Sequence, residues 1–331
     1  MENVYAAYLV IGLLGLVLGS FAGATVWRLR ARQLTEEADE LDRLSALKKA
    51  GHDLSGDDAE NFTYLAECKG QRRAELKRLG QLSGAKMSQD RSRCLECGHT
   101  LGMRDLVPLF SWLSTRGKCR YCGKRIGRFE PAIELGTATT FLLFGYFWIS
   151  TFGLSPIGIL LLVLWLAALT MLVILFVYDL RWFLLPDRVM FPLIGLSAVI
   201  ALVTLVSTAS LTGSALASLV ASTGILGGLY FVLWFISKGR WVGFGDVKLG
   251  LALGLLIMDW RLAFLTLFLA NLIGTLAVLP GLITKKMTRT TQVPFGPLLI
   301  IGFFISLVFG PAIIVGYGDF TVWLSGMLLM L

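Results

Sequence analysis

Outside its one long polar stretch, this 331-residue chain has only seven acidic residues: Glu2, Glu134, Asp179, Asp187, Asp246, Asp259 and Asp319. The chain is 56% hydrophobic and 16% charged, and a carboxylate beside an apolar run is costly unless it is paired, hydrated or used. Three of the seven stand where they could do chemistry, Asp179 and Asp187 in "VYDLRWFLLPDRVMF" and Asp246 in "RWVGFGDVKLG". Two carboxylates in one confined site cannot both ionise readily, so one can activate water while the other holds a proton for a departing amide. Asp179 and Asp187 are separated by roughly 12 Å along an unbroken helix. Asp187 also directly precedes an apolar run, where its oxygen could cap a helix. The expected dyad is therefore Asp179 with Asp246. An N-cap role for Asp246 would explain that aspartate but leave Gly243 and Gly245 idle. Two glycines ahead of a carboxylate let the chain approach another backbone closely and flex around an extended substrate. Lys248 either biases the charge of the dyad or snorkels toward water.

A second set of residues points to a metal. Cys94 and Cys97 in "CLECGH" and Cys119 and Cys122 in "CRYCGK" form two CxxC knuckles with 21 residues between them. Gly98 and Gly123 follow the knuckles, so the backbone can turn tightly behind the second thiolate. The pattern predicts a zinc ribbon over about 92–128, with four thiolates closing a tetrahedral and hence structural site. Two disulfides are the competing reading, disfavoured if the segment is cytoplasmic. Cys68 is left over as an ordinary thiol, and His99 is a fifth candidate ligand.

These residues need helices to position them. Apolar spans are expected at about 5–27, 133–154, 157–178, 189–208, 213–236, 248–259, 262–283 and 295–317, each judged against the 18 to 20 apolar residues that cross about 30 Å of hydrocarbon. The fold class is thus an all-α polytopic membrane protein with about eight transmembrane helices. The sixth span is short, and 320–331 reads as an interfacial stub. Three parts follow: a first transmembrane helix (1–27), an insert carrying the ribbon (28–132) and a seven-helix core (133–331). The first span lacks a basic region before its apolar run and reads as retained rather than cleaved. Gly15, Gly19 and Gly23 share one face of it, which suits close helix packing. In the insert, apolar residues at helical spacing predict one helix from Leu34 to about Ala50 and another, capped by Ser55, through about Leu79.

Between Arg28 and Pro131 there are 21 Lys and Arg against 15 Asp and Glu, most of the formal net charge of +8. Basic residues also follow the third, fifth and seventh spans, so the positive-inside rule places the insert in the cytoplasm and the N-terminus outside. Membrane orientation accounts for the basic balance, and no nucleic-acid partner is expected.

With these residues in view, "GFGD" followed by "VK" resembles the GxGD signature of intramembrane aspartyl proteases, specifically the bacterial type IV prepilin leader peptidase and N-methyltransferase family. "LGSFAGATVWRL" is similar to the family's GSFLN-type first helix, "CLECGH" and "CRYCGK" to its zinc ribbon, "YDLRWFLLPD" to its D-x6-PD block, and "QVPFGPLLIIG" to its PFGP block. The resemblance implies cleavage of type IV prepilins or pseudopilins after a Gly at the cytoplasmic face of the inner membrane, with Asp179 and Asp246 catalytic and Asp187 secondary. It further implies N-methylation of the new terminus from S-adenosylmethionine, although Gly23 stands where the family block has Asn and no nucleotide-binding glycine fingerprint is visible. The rival reading is a non-enzymatic assembly scaffold or small transporter with a zinc module, which leaves the paired aspartates unexplained.

Overall fold

A computed structural model of the chain describes residues 2–50, 52–54, 56–79, 91–209, 211–285 and 293–328. Among them there is no strand, only two isolated β-bridges in the ribbon, Arg93 with Thr100 and Lys118 with Arg125. The chain divides into two compact units, residues 13–138 and residues 1–12 with 139–331.

In the unit of residues 13–138, the first apolar span does not stop at the polar boundary. Helix α1 runs unbroken over Glu2–Lys49, about 72 Å at 1.5 Å per residue. The strong helix formers after Arg28 and the apolar positions Leu34, Leu41 and Leu44 carry it on, where a separate helix from Leu34 was expected. Ala31 and Leu34 pack with Leu79, flanked by Trp27, Leu76 and Leu95. Two ion pairs tie α1 to the insert: Arg30 forks onto Glu75, with its shortest contact at 2.6 Å, and Arg72 reaches Glu37 at 2.5 Å. The insert's second helical stretch is broken, with α2 at Asp57–Glu67 and α3 at Lys69–Leu79, and a turn at Cys68 between them. Gly56 at φ 59° occupies the N-cap of α2 without a side-chain bond; Ser55, the expected cap, lies outside the described residues. A short helix α4, Phe110–Ser114, sits between the two knuckles, and Phe129–Phe152 forms α5.

The three glycines of α1 divide. A Cβ on Gly15 would lie 2.6 Å from Ala138 Cα, and one on Gly19 would lie 2.7 Å from Glu134 Cα, so at both positions the absence of a side chain lets α1 meet the backbone of α5. A Cβ on Gly23 would meet only Ile133 Cδ1, at 3.7 Å. Close packing requires the first two glycines and not the third.

The other unit holds α6 (Pro156–Trp182), α7 (Asp187–Ser207), α8 (Gly213–Thr223), α9 (Leu229–Ser237), α10 (Phe244–Ile257), α11 (Trp260–Ile283) and α12 (Phe295–Leu328). A π-helical turn at Gly224–Gly228 joins α8 to α9. Among the described residues of the whole chain, seven helices are long and apolar enough to cross a membrane, α1 and α5 included and Gly213–Ser237 counted as one. The remaining apolar segment is α10, whose 14 residues reach about 21 Å, short of about 30 Å of hydrocarbon. Small residues bring it hard against the helix that bends at the π-turn: a Cβ on Gly250 would overlap the Leu226 carbonyl, and one on Gly254 would lie 2.6 Å from Thr223 Cα. Ser222 adds a hydrogen bond to the Gly254 carbonyl at 2.9 Å. Residues Leu249, Leu253 and Leu256 are buried, so α10 behaves as a core helix whose N-terminal end is held in place. The C-terminal stub does not form a separate segment; α12 continues through it to Leu328.

Candidate active site

Asp179 lies one turn from the end of α6, 5% exposed. Phe183, in the left-handed region at φ 56°, ends this helix by donating its N–H to the Asp179 carbonyl at 2.9 Å. The Asp179 side chain faces the start of α12: Oδ2 accepts the Gly296 N–H at 3.1 Å. That amide belongs to the first turn of a helix, where donors have no intrahelical partner and the dipole favours a negative charge. A Cβ on Gly296 would come within 2.7 Å of Asp179 Oδ2, so any side chain there would push the carboxylate from its present position.

Asp246 occupies the third residue of α10, not its N-cap. Gly243 is the cap residue, and its carbonyl accepts the Asp246 N–H at 3.1 Å. The carboxylate is therefore also at a helix N-terminus and lies within electrostatic range of Asp179. The two glycines act differently. Gly245 packs on Leu185, where a Cβ would lie 3.1 Å from Leu185 Cβ, while Gly243 borders the Asp246 carboxylate at 3.8 Å on the same construction. Leu185 also flanks Gly296, at 3.5 Å from a Cβ there, so this one side chain wedges between the first turns of α10 and α12. Tyr230 of α9 completes the surroundings. Its ring packs on Phe295 at 5.4 Å between centroids, its hydroxyl is within electrostatic range of Asp246, and that hydroxyl is buried without a hydrogen-bond partner among the described residues.

Asp187 and Lys248 pair with each other. Asp187 is the first residue of α7 and does not cap it; Pro186 holds the cap position. Its carboxylate receives Lys248 Nζ at 2.6 Å. The Lys248 ammonium also lies over the rings of Phe191 and Phe244, at 4.8 and 5.2 Å. Lys248 thus does not simply snorkel to water: it clips α10 to the first turn of α7.

Sequence order singled out Asp179 and Asp246, but gave no hint of Leu185 or Tyr230. Gly296 was visible only as part of "PFGP", where a glycine at the second position of a helix before Pro297 is the one local signal.

In the ribbon, the Cys94, Cys97, Cys119 and Cys122 sulfurs all lie within 4.8 Å of one another. Zn–S bonds of about 2.3 Å in a tetrahedron require sulfurs about 3.8 Å apart, so this donor set fits a metal ion. The knuckles repeat one geometry: Cys94 N–H bonds to His99 O and Gly98 N–H to Cys94 O, while Cys119 N–H bonds to Lys124 O and Gly123 N–H to Cys119 O, all at 2.8–2.9 Å. Gly98 and Gly123 have φ of 71° and 67°, the left-handed turn behind each second thiolate. No cysteine is in a disulfide. Burial pushes the Cys94 thiol up to about 11. Burial pushes the Cys119 thiol up, but the amides of Cys122 and Tyr121 and the Cys122 and Cys94 thiols together outweigh it and bring it down to about 7. The His99 ring packs tilted against Tyr121, 3.7 Å between centroids, and is not among the clustered ligands. Glu96 bridges the halves of the ribbon, accepting Lys124 at 3.1 Å and Arg78 at 2.7 Å, and these cations hold its carboxyl below the usual range.

Residues 13–148 match the model of the bacterial peptidase A24 N-terminal domain, and residues 166–279 that of the type IV leader peptidase family. A prepilin leader peptidase/N-methyltransferase of Stutzerimonas stutzeri is 32% identical over 70% of this chain and 75% of its own length. Proteins of the same name from Bacillus subtilis and Pseudomonas aeruginosa are 30% and 31% identical, over 69% and 70% of this chain and 85% and 75% of theirs. No solved structure matches the chain. With both family models matched in order and relatives of this similarity across most of their length, the chain is an enzyme that belongs to the type IV leader peptidase family.

Proposed function

We propose that this chain is a membrane-embedded aspartic endopeptidase that removes the leader of type IV prepilins or pseudopilins after a Gly, at the cytoplasmic face of the inner membrane. The observation that carries the reading is the convergence of Asp179 and Asp246, 67 residues apart in the chain, at helix ends within electrostatic range of each other. A substrate's apolar helix lies in the bilayer beside the enzyme's own helices, and its basic leader stays in the cytoplasm, so the scissile bond sits at headgroup level. One aspartate takes a proton from a water held between the pair, and the oxygen attacks the Gly carbonyl. The other gives its proton to the leaving amine as the C–N bond breaks, with no covalent intermediate. The Gly296 amide keeps Asp179 in register, and Gly243 leaves open the edge of Asp246 along which an extended chain can run.

The four ribbon cysteines would hold a structural Zn2+ that braces the insert. Family membership further supports N-methylation of the newly exposed terminus. S-adenosylmethionine, when bound, supplies an activated methyl group to that amine, which loses a proton as the sulfonium becomes a neutral thioether. A scaffold or transporter would account for the helices and the ribbon but not for two carboxylates, Asp179 buried and Asp246 half-buried, at converging helix ends. Single Asp179→Asn and Asp246→Asn variants, co-expressed with a prepilin, should each leave the leader uncleaved when the product is weighed by mass spectrometry. Full processing by either variant removes the dyad.

A further inference from the structure

A row of buried residues on the helix that carries the π-turn faces a row on α10, and the two rows run antiparallel. Rows of residues four apart are the ridges by which helices pack. Ser222 Oγ donates to the Gly254 carbonyl at 2.9 Å, and the Leu226 carbonyl fills the space that a Gly250 side chain would need. Four residues on from Leu226 and four back from Gly250, the next rung sets Tyr230 against Asp246. In the π-turn just before Tyr230, the Leu229 N–H donates to the Gly224 carbonyl, five residues back. The residue such a turn adds rotates all that follows by about 100°, so it sets the face on which Tyr230 lies. The side chain is 4% exposed. Its ring packs on Phe295 at 5.4 Å between centroids, and Phe295 precedes the Gly296 amide that holds Asp179. Tyr230 therefore meets both helix ends at which the dyad is fixed. Its hydroxyl is buried with no hydrogen-bond partner among the described residues. A buried tyrosine O–H usually finds an acceptor, and leaving it unpaired costs free energy unless a ligand takes the bond.

We propose that Tyr230 is a further catalytic residue, whose hydroxyl donates a hydrogen bond to the carbonyl oxygen of the peptide bond being cleaved. In leader cleavage as proposed above, one aspartate takes the proton of the attacking water and the other protonates the leaving amine. Neither then holds the carbonyl oxygen, on which negative charge collects as the carbon becomes tetrahedral. A donor already fixed at that point is among the largest contributions to rate that a site can make. The tyrosine transfers no proton: its O–H bond stays intact, and the hydrogen bond tightens on attack and relaxes when the C–N bond breaks and the carbonyl re-forms.

The inference rests on the leader-cleavage reading, and steady-state kinetics of the purified full-length chain with a purified prepilin in detergent separate the two. Tyr230→Phe removes one oxygen and keeps the ring on Phe295. Its kcat should fall about 100-fold with KM little changed, because the bond strengthens only as charge develops. Its thermal midpoint should hold or rise, since the deleted hydroxyl has no protein partner to lose. The pH–rate profile should drop without moving along the pH axis; a displaced limb would mean that Tyr230 acts through the charge of Asp246, and overturns the catalytic role. Wild-type kcat in Tyr230→Phe, or a rate loss matched by a fallen midpoint, overturns the inference and leaves leader cleavage standing. If the wild-type chain leaves the prepilin uncut, leader cleavage itself falls and the inference with it.

Discussion

Replacing Gly296 by alanine tests the catalytic geometry without removing a single ionisable group. The added methyl would start 2.7 Å from Asp179 Oδ2 and 3.4 Å from its Cγ, against a comfortable non-bonded separation of about 3.5 Å. The neighbour in the way is a carboxylate, not backbone, so the side chain yields and the fold survives. Relieving the contact moves the oxygen by about 0.5 to 0.8 Å and lengthens or breaks the 3.1 Å bond from the Gly296 amide. Misplacing a reacting group by about 1 Å can reduce rate about 100-fold, so kcat/KM for leader cleavage should fall by about 10- to 100-fold. The assay is cleavage of a purified prepilin by purified enzyme in detergent, followed by the appearance of the shortened product. Gly195→Ala serves as the matched control, because a Cβ there meets nothing within 4 Å and alanine favours a helix. Wild-type kcat/KM in Gly296→Ala would refute the placement of Asp179 against α12, and with it the reason offered for glycine at this position.

The pair of Asp187 and Lys248 should behave as a clip, not as part of the dyad. Because the Asp187 side chain is 56% exposed, Asp187→Asn should cost about 1 kcal/mol or less of stability and retain leader cleavage; loss of cleavage as complete as in Asp179→Asn would mean the carboxylate reacts. In the ribbon, Cys94→Ser should lose bound zinc and expose residues 91–128 to limited proteolysis, since structural zinc contributes directly to folding; one zinc per chain in that variant, measured by plasma emission, would contradict a four-thiolate site. On α1, Gly19→Ala forces a methyl onto Glu134 backbone at 2.7 Å and should destabilise by about 1 to 3 kcal/mol, whereas Gly23→Ala should be neutral or slightly stabilising. Thermal unfolding in detergent ranks them, and a greater loss in Gly23→Ala would reverse the packing order.

What the chain's letters determined on their own is what depends on local pattern. Runs of apolar residues long enough to cross a bilayer made the all-helical membrane fold legible, and two CxxC knuckles announced the clustering of their four sulfurs, down to the left-handed glycines behind them. The aspartates were legible because charge is so scarce beside hydrocarbon. Tertiary structure decided which groups those charges meet. Asp187 looked like a cap until Lys248, 61 residues further on, was brought onto it. Gly15, Gly19 and Gly23 were indistinguishable by spacing, since which glycine carries a helix crossing depends on the path of α5. Asp179 acquired Gly296 across 117 residues, and Glu130 acquired the Trp27 indole N–H across 103. Periodicity and composition act over one or two turns of chain, whereas the fit of a carboxylate to an amide or of one backbone to another exists only after distant helices have docked.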